Sequence, residues 1–203
     1  MGCYKLQRDN SIFGTEGANV KGYIYTMYPG ADPGHGWILN DPIFTPTPTL
    51  GACMPNIRRA VSEGDYIFTI SGRVQGERQF VVGGFRVAEK IDALAAFGRF
   101  PQYRLRRRTD GGLEGNIIIN AQGTQHPFDH HANFERRVEN YIVGADPVFL
   151  GNEEQYSRAR KETVPILSNI FGKGGQKVFD IIGRQRRMDK TQVEELLSWL
   201  ASL

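Results

Sequence analysis

Three of the four histidines, His126, His130 and His131, fall within six residues, close to Asp129 and Glu135. If Asp129 caps a helix, His131 and Glu135 stand four residues apart on one face. Imidazole and carboxylate groups so placed can hold a divalent ion or move a proton. That is the chemistry of a metal-assisted nuclease or nucleotide hydrolase, with His130, His131 and Glu135 as its catalytic candidates. The stretch lacks His-Glu-x-x-His spacing, and no cysteine is near. A carboxylate-capped helix with hydrogen-bonded imidazoles is the simpler account, so neither a metal nor a cofactor is expected.

A second group suits anions. Arg104, Arg106, Arg107 and Arg108 lie within five residues, with Tyr103 beside them. Guanidinium groups contact phosphates and an aromatic ring stacks on bases. In a strand, Arg104, Arg106 and Arg108 would share one face. A solvated edge strand guarded by charge explains each arginine singly.

A third group surrounds Cys53–Ser71. Pro55 marks the first turn of a short helix over Met54–Glu63, and Gly64-Asp65 turns the chain into the strand Tyr66–Ser71. Free N–H groups at the helix start could face an anion. Asn56, Arg58 and Ser71 could converge there on a flat polar ligand, although Arg58 and Arg59 also suit a solvated helix face. Tyr28, His35, Trp37 and Phe44 precede the helix and could wall such a pocket. Aromatic stacking on a base contributes about 1–3 kcal/mol. Covering the core is the other role open to these rings, and for Tyr28, His35 and Phe44 the better one.

The elements that must position these groups read as strands first and helices later. Val20–Tyr28 is a β-rich run ended by Pro29-Gly30. Residues 29–55 carry six prolines and four glycines with no period, as in a long functional loop. Tyr66–Ser71 is apolar on both faces, which predicts a buried strand. Gln79–Val87 is another strand, and its Gly83-Gly84 pair marks a bulge, a barrel bend or a close approach. Ala88–Phe97 reads as helix. Asn116–Asn120 and Val138–Val143 read as short strands.

Glu153–Arg187 is helix-prone, cut by Pro165 and by Gly172–Gly175, whose spacing is not that of a phosphate loop. Thr191 and Glu194 form a capping box for a helix over Thr191–Leu200. Gln176–Arg187 and Thr191–Leu200 suggest a helical hairpin docked on the strands. The expected class is α+β. It comprises a small, partly open β-barrel domain over residues 1–151 with short helices, and a helical C-terminal appendage over residues 152–203.

The order of these motifs resembles the PUA-like superfamily, particularly EVE and YTH domains. Those combine an Asn/Arg-rich helix, a Gly-Asp turn, a hydrophobic strand ending in Ser and a Val-Gly strand. Tyr4–Asp9, Cys53–Asp65 and Tyr141–Gly151 are similar to the nucleotide modification associated domain family. The resemblance covers roughly residues 4–151. It departs in the Pro/Gly-rich insertion around residues 29–48 and in the histidine stretch.

The resemblance implies a binding module for a modified nucleobase or nucleotide, in a setting of DNA base modification or phage defence. Its partner would be DNA or a nucleotide carrying a modified base, with a DNA-modifying enzyme as a further one. Trp37 would then stack, Asn56 and Ser71 would read base edges, and Arg58 would contact phosphate. Arg104, Arg106, Arg107 and Arg108 would meet the backbone.

Composition agrees with an ordered chain. The sequence has 203 residues, 40% hydrophobic and 23% charged, which argues against disorder. Glycine stands at 24 residues, above the usual share of about 7%. The net charge of +3 hides a distribution of −1 over residues 1–50, +6 over 51–108, −4 over 109–151 and +2 over 152–203. Cys3 and Cys53 give no disulfide framework. There is no membrane-length apolar run, and Lys5 and Arg8 precede any apolar stretch. Met1-Gly2 is not followed by the Ser or Thr of a myristoylation site. A soluble cytoplasmic protein is expected.

Overall fold

The computed structural model describes residues 20–203. The Tyr4–Asp9 motif, the Met1-Gly2 start and Cys3 lie outside the described residues.

Three strands make the centre. The strands β1 (Gly22–Thr26) and β3 (Tyr66–Ile70) run parallel, Tyr25 opposite Thr69, and β4 (Val81–Ile91) pairs antiparallel with β3. Four consecutive residues of β3, Ile67–Ile70, are buried, so both of its faces are covered. The strand β7 (Tyr141–Phe149) extends the sheet beyond β4, and the two-residue β2 (Thr49–Leu50) closes that side. The other edge is β8 (Gln185–Met188), antiparallel to β1. The order is β2-β7-β4-β3-β1-β8, an open six-stranded mixed sheet rather than a closed barrel.

The glycine pair serves internal packing. A Cβ on Gly84 would lie 2.3 Å from the Phe68 ring, and one on Gly83 would lie 2.5 Å from Phe149. The β4 register shifts against both neighbours here. The pair lets β3 and β7 close on β4, and the approach that the sequence pattern marks is made by the chain itself.

Helices cover the two faces. On one side lies α1 (Pro55–Ala60), whose Ile57 enters the core. On the other, α4 (Glu153–Phe171), α5 (Val178–Ile182) and α6 (Lys190–Leu200) contribute Leu167, Ile181, Val193 and Leu196 to the same core. Thr163 of α4 accepts the Val81 N–H at 3.1 Å, and the Trp199 indole of α6 donates to Glu162 at 2.9 Å. A satellite core joins α2 (Ala93–Arg99) to Tyr103, Ile117 and Tyr141. Beside it stands a ribbon of β5 (Arg106–Arg107) and β6 (Leu113–Glu114). The short α3 (Glu135–Val138) precedes β7.

Several expectations change. Residues 152–203, expected as a helical appendage, supply an edge strand of the sheet and one wall of the core. The hairpin of helices is interrupted by β8, because Gly183 turns the chain at φ 65°, a backbone that favours glycine, and feeds it alongside β1. Pro165 sits inside α4 without ending it. The cap of α6 is Asp189 with Gln192, not Thr191 with Glu194. The strand β4 runs on to Ile91 because β7 pairs with it as far as Tyr141, so the helix starts at Ala93. The stretch 116–120 carries isolated bridges at Ile117 and Ile119 instead of a strand.

Candidate nucleotide-binding cleft

The end of β1 and the loop after it form the back of a cleft. Two adjoining cavities, about 580 Å³ and 370 Å³, share Met27, Tyr28, Asp41, Cys53 and His131 in their linings. Both volumes lie in the usual range for small-molecule sites of about 300–1,000 Å³. The larger cavity adds Tyr25, Asn56, Arg137 and Arg184, and the smaller adds Trp37, Asn116, Phe128 and His130.

Asp41 shapes the wall between them. Its carboxylate accepts the backbone N–H groups of Gly51 at 2.7 Å, Ala52 at 2.9 Å and Cys53, and the Asn116 amide at 3.0 Å. Asn116 in turn accepts the Tyr141 hydroxyl at 2.7 Å. One carboxylate thus pins the Pro-rich loop to the segment that enters α1. The loop is ordered by this bonding, which brings Trp37 against Tyr28. Their rings meet edge to face at 5.3 Å and 86°. Tyr28 is 50% exposed and Trp37 is 38% exposed, so both present open ring surface at the rim. Large aromatics left this open at a concave site are available to stack.

The histidines divide. His131 Nδ1 lies 2.6 Å from a carboxylate oxygen of buried Asp129, whose other oxygen accepts the Gln125 amide at 2.8 Å. That arrangement fixes the imidazole plane at the cleft. His130 lines the smaller cavity, while His126 accepts the Phe128 N–H and lies outside both linings. The helix expected from Asp129 starts only at Glu135, so His131 and Glu135 do not share a helical face. Among the described residues no group of three or more His, Cys, Asp or Glu side chains could hold a metal ion.

Two of the four expected ligand-binding residues converge. Trp37 and Asn56 line the adjoining cavities. Arg58 does not: it is 0% exposed. Its guanidinium donates to the carbonyls of Cys53 at 2.8 Å, Ala52 and Arg137 at 3.1 Å each, and Asn140. Those bonds occupy the fork, so Arg58 ties α1 to the start of β7 instead of meeting phosphate. Ser71 is buried too. Its hydroxyl accepts the Phe80 N–H at 3.0 Å, which holds the β3–β4 connection.

The arginine cluster is also occupied. Arg104 donates twice to the Phe97 carbonyl and covers the Phe97 ring at 3.8 Å. Arg106 pairs with Glu114, Arg107 donates to the Gly111 carbonyl, and Arg108 pairs with Asp110. Of the four, Arg106 and Arg107 occupy β5 and none lines the cleft. His35 and Phe44 turn away as well: His35 faces Glu77, and Phe44 stacks on Phe149.

Burial sets the state of the titratable groups. The Cys53 thiol is pushed well up by burial and by the Asp41 charge, so it stays protonated and is a poor nucleophile. Burial pushes the Tyr28 hydroxyl up to about 12. The buried Tyr25 hydroxyl is raised by the same cause, and it has no hydrogen-bond partner among the described residues. The cleft therefore offers neutral phenols, an oriented imidazole and an amide, which suit recognition more than nucleophilic attack.

No family model and no curated protein matches the chain. Among solved structures it is similar to human THYN1 protein, whose crystal structure is of a complex with 5-methylcytosine containing DNA. The identity is 12%, over 89% of this chain and 97% of that one, with a TM-score of 0.38. So loose a likeness carries no argument about the ligand. No helix among the described residues is long and apolar enough to cross a membrane.

Proposed function

We propose that the chain is a PUA-like binding module that takes a nucleotide with a modified base into the cleft beside β1. The observation that carries this reading is the pair of open aromatic rings, Tyr28 and Trp37, at the mouth of a largely apolar cavity that Asp41, Asn116 and His131 also line. Trp37 stacks on the base, Asn56 bonds to its edge, and His130 and His131 wall the pocket. A base extruded from a strand gives up stacking worth a few kcal/mol, and aromatic faces and edge hydrogen bonds replace it. Arg58 supports the site by holding the Ala52 and Cys53 carbonyls at the entry to α1. The base-modification or phage-defence setting, and a DNA-modifying enzyme as partner, rest on the sequence resemblance alone.

The nuclease or hydrolase reading has less support. His131 is oriented by Asp129, but Glu135 stands on a separate element and no metal-binding group is assembled among the described residues. Titration of the wild type and of Trp37→Ala with single-stranded oligonucleotides tests the binding reading, with one strand carrying a modified cytosine and its twin none. The modified strand should bind more tightly, and Trp37→Ala should lose that preference while melting like the wild type. Strand cleavage that disappears in His131→Ala would replace binding with catalysis.

A further inference from the structure

The edge strand β8 puts Arg187 on the Tyr25 face of the sheet, and Arg184, just before the strand, lines the cleft. Gly183 reverses the chain after α5, and the Arg184 carbonyl accepts the Thr26 N–H at 3.1 Å. Arg184 and Gln185 line the larger cavity. Gln185 stands opposite Tyr25 and Arg187 opposite Tyr23, so both share the Tyr25 face. Arg186, opposite Ile24, takes the other face, where it donates to the Ile181 carbonyl and covers the Phe171 ring.

Partners distinguish these arginines. Arg186 is held internally. Arg184 and Arg187 are exposed, and neither has an ion pair or side-chain hydrogen bond among the described residues. The balance inside the cavity is also one-sided. Asp41 is its carboxylate, already accepting backbone N–H groups, whereas Arg137 and Arg184 both line it. A cavity with an open arginine and an occupied carboxylate favours an anion.

We propose that the segment from Arg184 through β8 is the phosphate-holding edge of the cleft, with Arg184, just before the strand, as the first contact and Arg187, within it, as the next. The inference rests on the reading of the cleft as a nucleotide site and adds that the ligand is held by its phosphate as well as its base. The phosphate belongs either to a free nucleotide or to a nucleic-acid strand. Segment 152–203, beyond the reach of the motif resemblance, then completes the binding site. A guanidinium on a phosphate makes charge-assisted hydrogen bonds, and an open arginine needs no internal bond broken first.

The test uses the full chain and three probes: 5-methyl-2′-deoxycytidine, its 5′-monophosphate, and a single-stranded oligonucleotide containing one 5-methylcytosine. The wild type should bind both phosphate-bearing probes more tightly than the nucleoside. Arg184→Ala should weaken those two by about tenfold and leave the nucleoside unchanged. For the oligonucleotide, the slope of log affinity against log salt should fall by about 0.7, the share of one phosphate on a single strand. An effect on the oligonucleotide alone assigns the phosphate to a strand, and an effect on both probes admits a free nucleotide. Arg187→Ala should act in the same direction, and exposed Lys173→Ala should change nothing.

Equal binding of all three probes by wild type and Arg184→Ala overturns the proposal. If that variant instead self-associates, its charge guards a sheet edge. Loss of nucleoside binding in Trp37→Ala would leave the cleft reading standing in that event. Failure of the wild type to bind any probe overturns the cleft reading, and this proposal with it.

Discussion

Two groups of arginines look alike in sequence and differ in what they can do. Arg104–Arg108 is the densest positive run, yet each of its four arginines bonds to a nearby carbonyl, carboxylate or ring. Arg184 and Arg187 stand in a sparser run, and their guanidinium groups face outward with no internal partner among the described residues. Charge density thus says little about which arginine is available to a ligand. Availability depends on whether the fold has already supplied acceptors. Arg58 is the extreme case: it belongs to the motif that looks most like a binding helix, and four backbone carbonyls consume it.

That contrast breaks first at Arg58. Arg58→Met removes a buried guanidinium and leaves buried carbonyls unpaired, so unfolding free energy should fall by at least about 3 kcal/mol in urea titrations. Wild-type stability with lost ligand binding would restore Arg58 to the site. Trp37→Ala should cost about 1–3 kcal/mol of nucleotide affinity with little change in thermal stability, since the ring is partly open. Asp41→Asn should act on both, because it weakens charge-assisted bonds to Gly51, Ala52 and Cys53. The loop that carries Trp37 should then exchange its amide hydrogens faster.

The smallest effects belong to the ribbon. Arg106→Ala and Arg107→Ala, with exposed partners, should change stability by less than about 1 kcal/mol and leave oligonucleotide affinity and its salt slope unchanged. Loss of affinity there matching that of Arg184→Ala would erase the contrast.

A pH prediction follows from the phenols. Tyr25 and Tyr141 are raised by burial above the ordinary tyrosine value of about 10. The folded chain then holds protons that the unfolded chain releases, so stability is intact below about pH 10 and declines as pH rises above it. Thermal melts through that range, read beside tyrosinate absorbance, should show both changes together. Tyrosines ionising near pH 10 without loss of stability would contradict the assigned burial.

The parts of the fold that could be read locally share a property: their pattern reflects their own burial. The apolar run Tyr66–Ile70 announces a strand covered on both faces, and Val193, Leu196 and Leu200 announce the inward stripe of α6, which Trp199 completes. The strand β8 was not legible, because Gln185–Met188 is short and charged and becomes a strand only by pairing with β1. The end of β4 was hidden for the same reason, since pairing to Tyr141 carries it through Ala88–Ile91.

At the site, Trp37 and Asn56 were visible as residue types in a suggestive order. The fate of Arg58 was not, since two of its acceptors, Arg137 and Asn140, lie about 80 residues away. Asp41 carried a weak signal as an Asp-Pro turn in the loop, but its role depends on Gly51–Cys53 and Asn116 folding around it. Arg184 falls within Gln176–Arg187, whose helical reading concealed its place at the cleft.

The central claim is that the cleft between β1, the Pro-rich loop and α1 takes a modified base. Calorimetric titration of the wild type with paired oligonucleotides, identical except for one modified base, across a panel of base modifications, tests it most directly, with Trp37→Ala as the control. The account predicts tighter binding of a modified strand than of its plain twin, and a loss of about tenfold or more in Trp37→Ala at unchanged melting temperature. Equal affinity for the two strands of every pair, or a Trp37→Ala variant that binds as the wild type does, would contradict it.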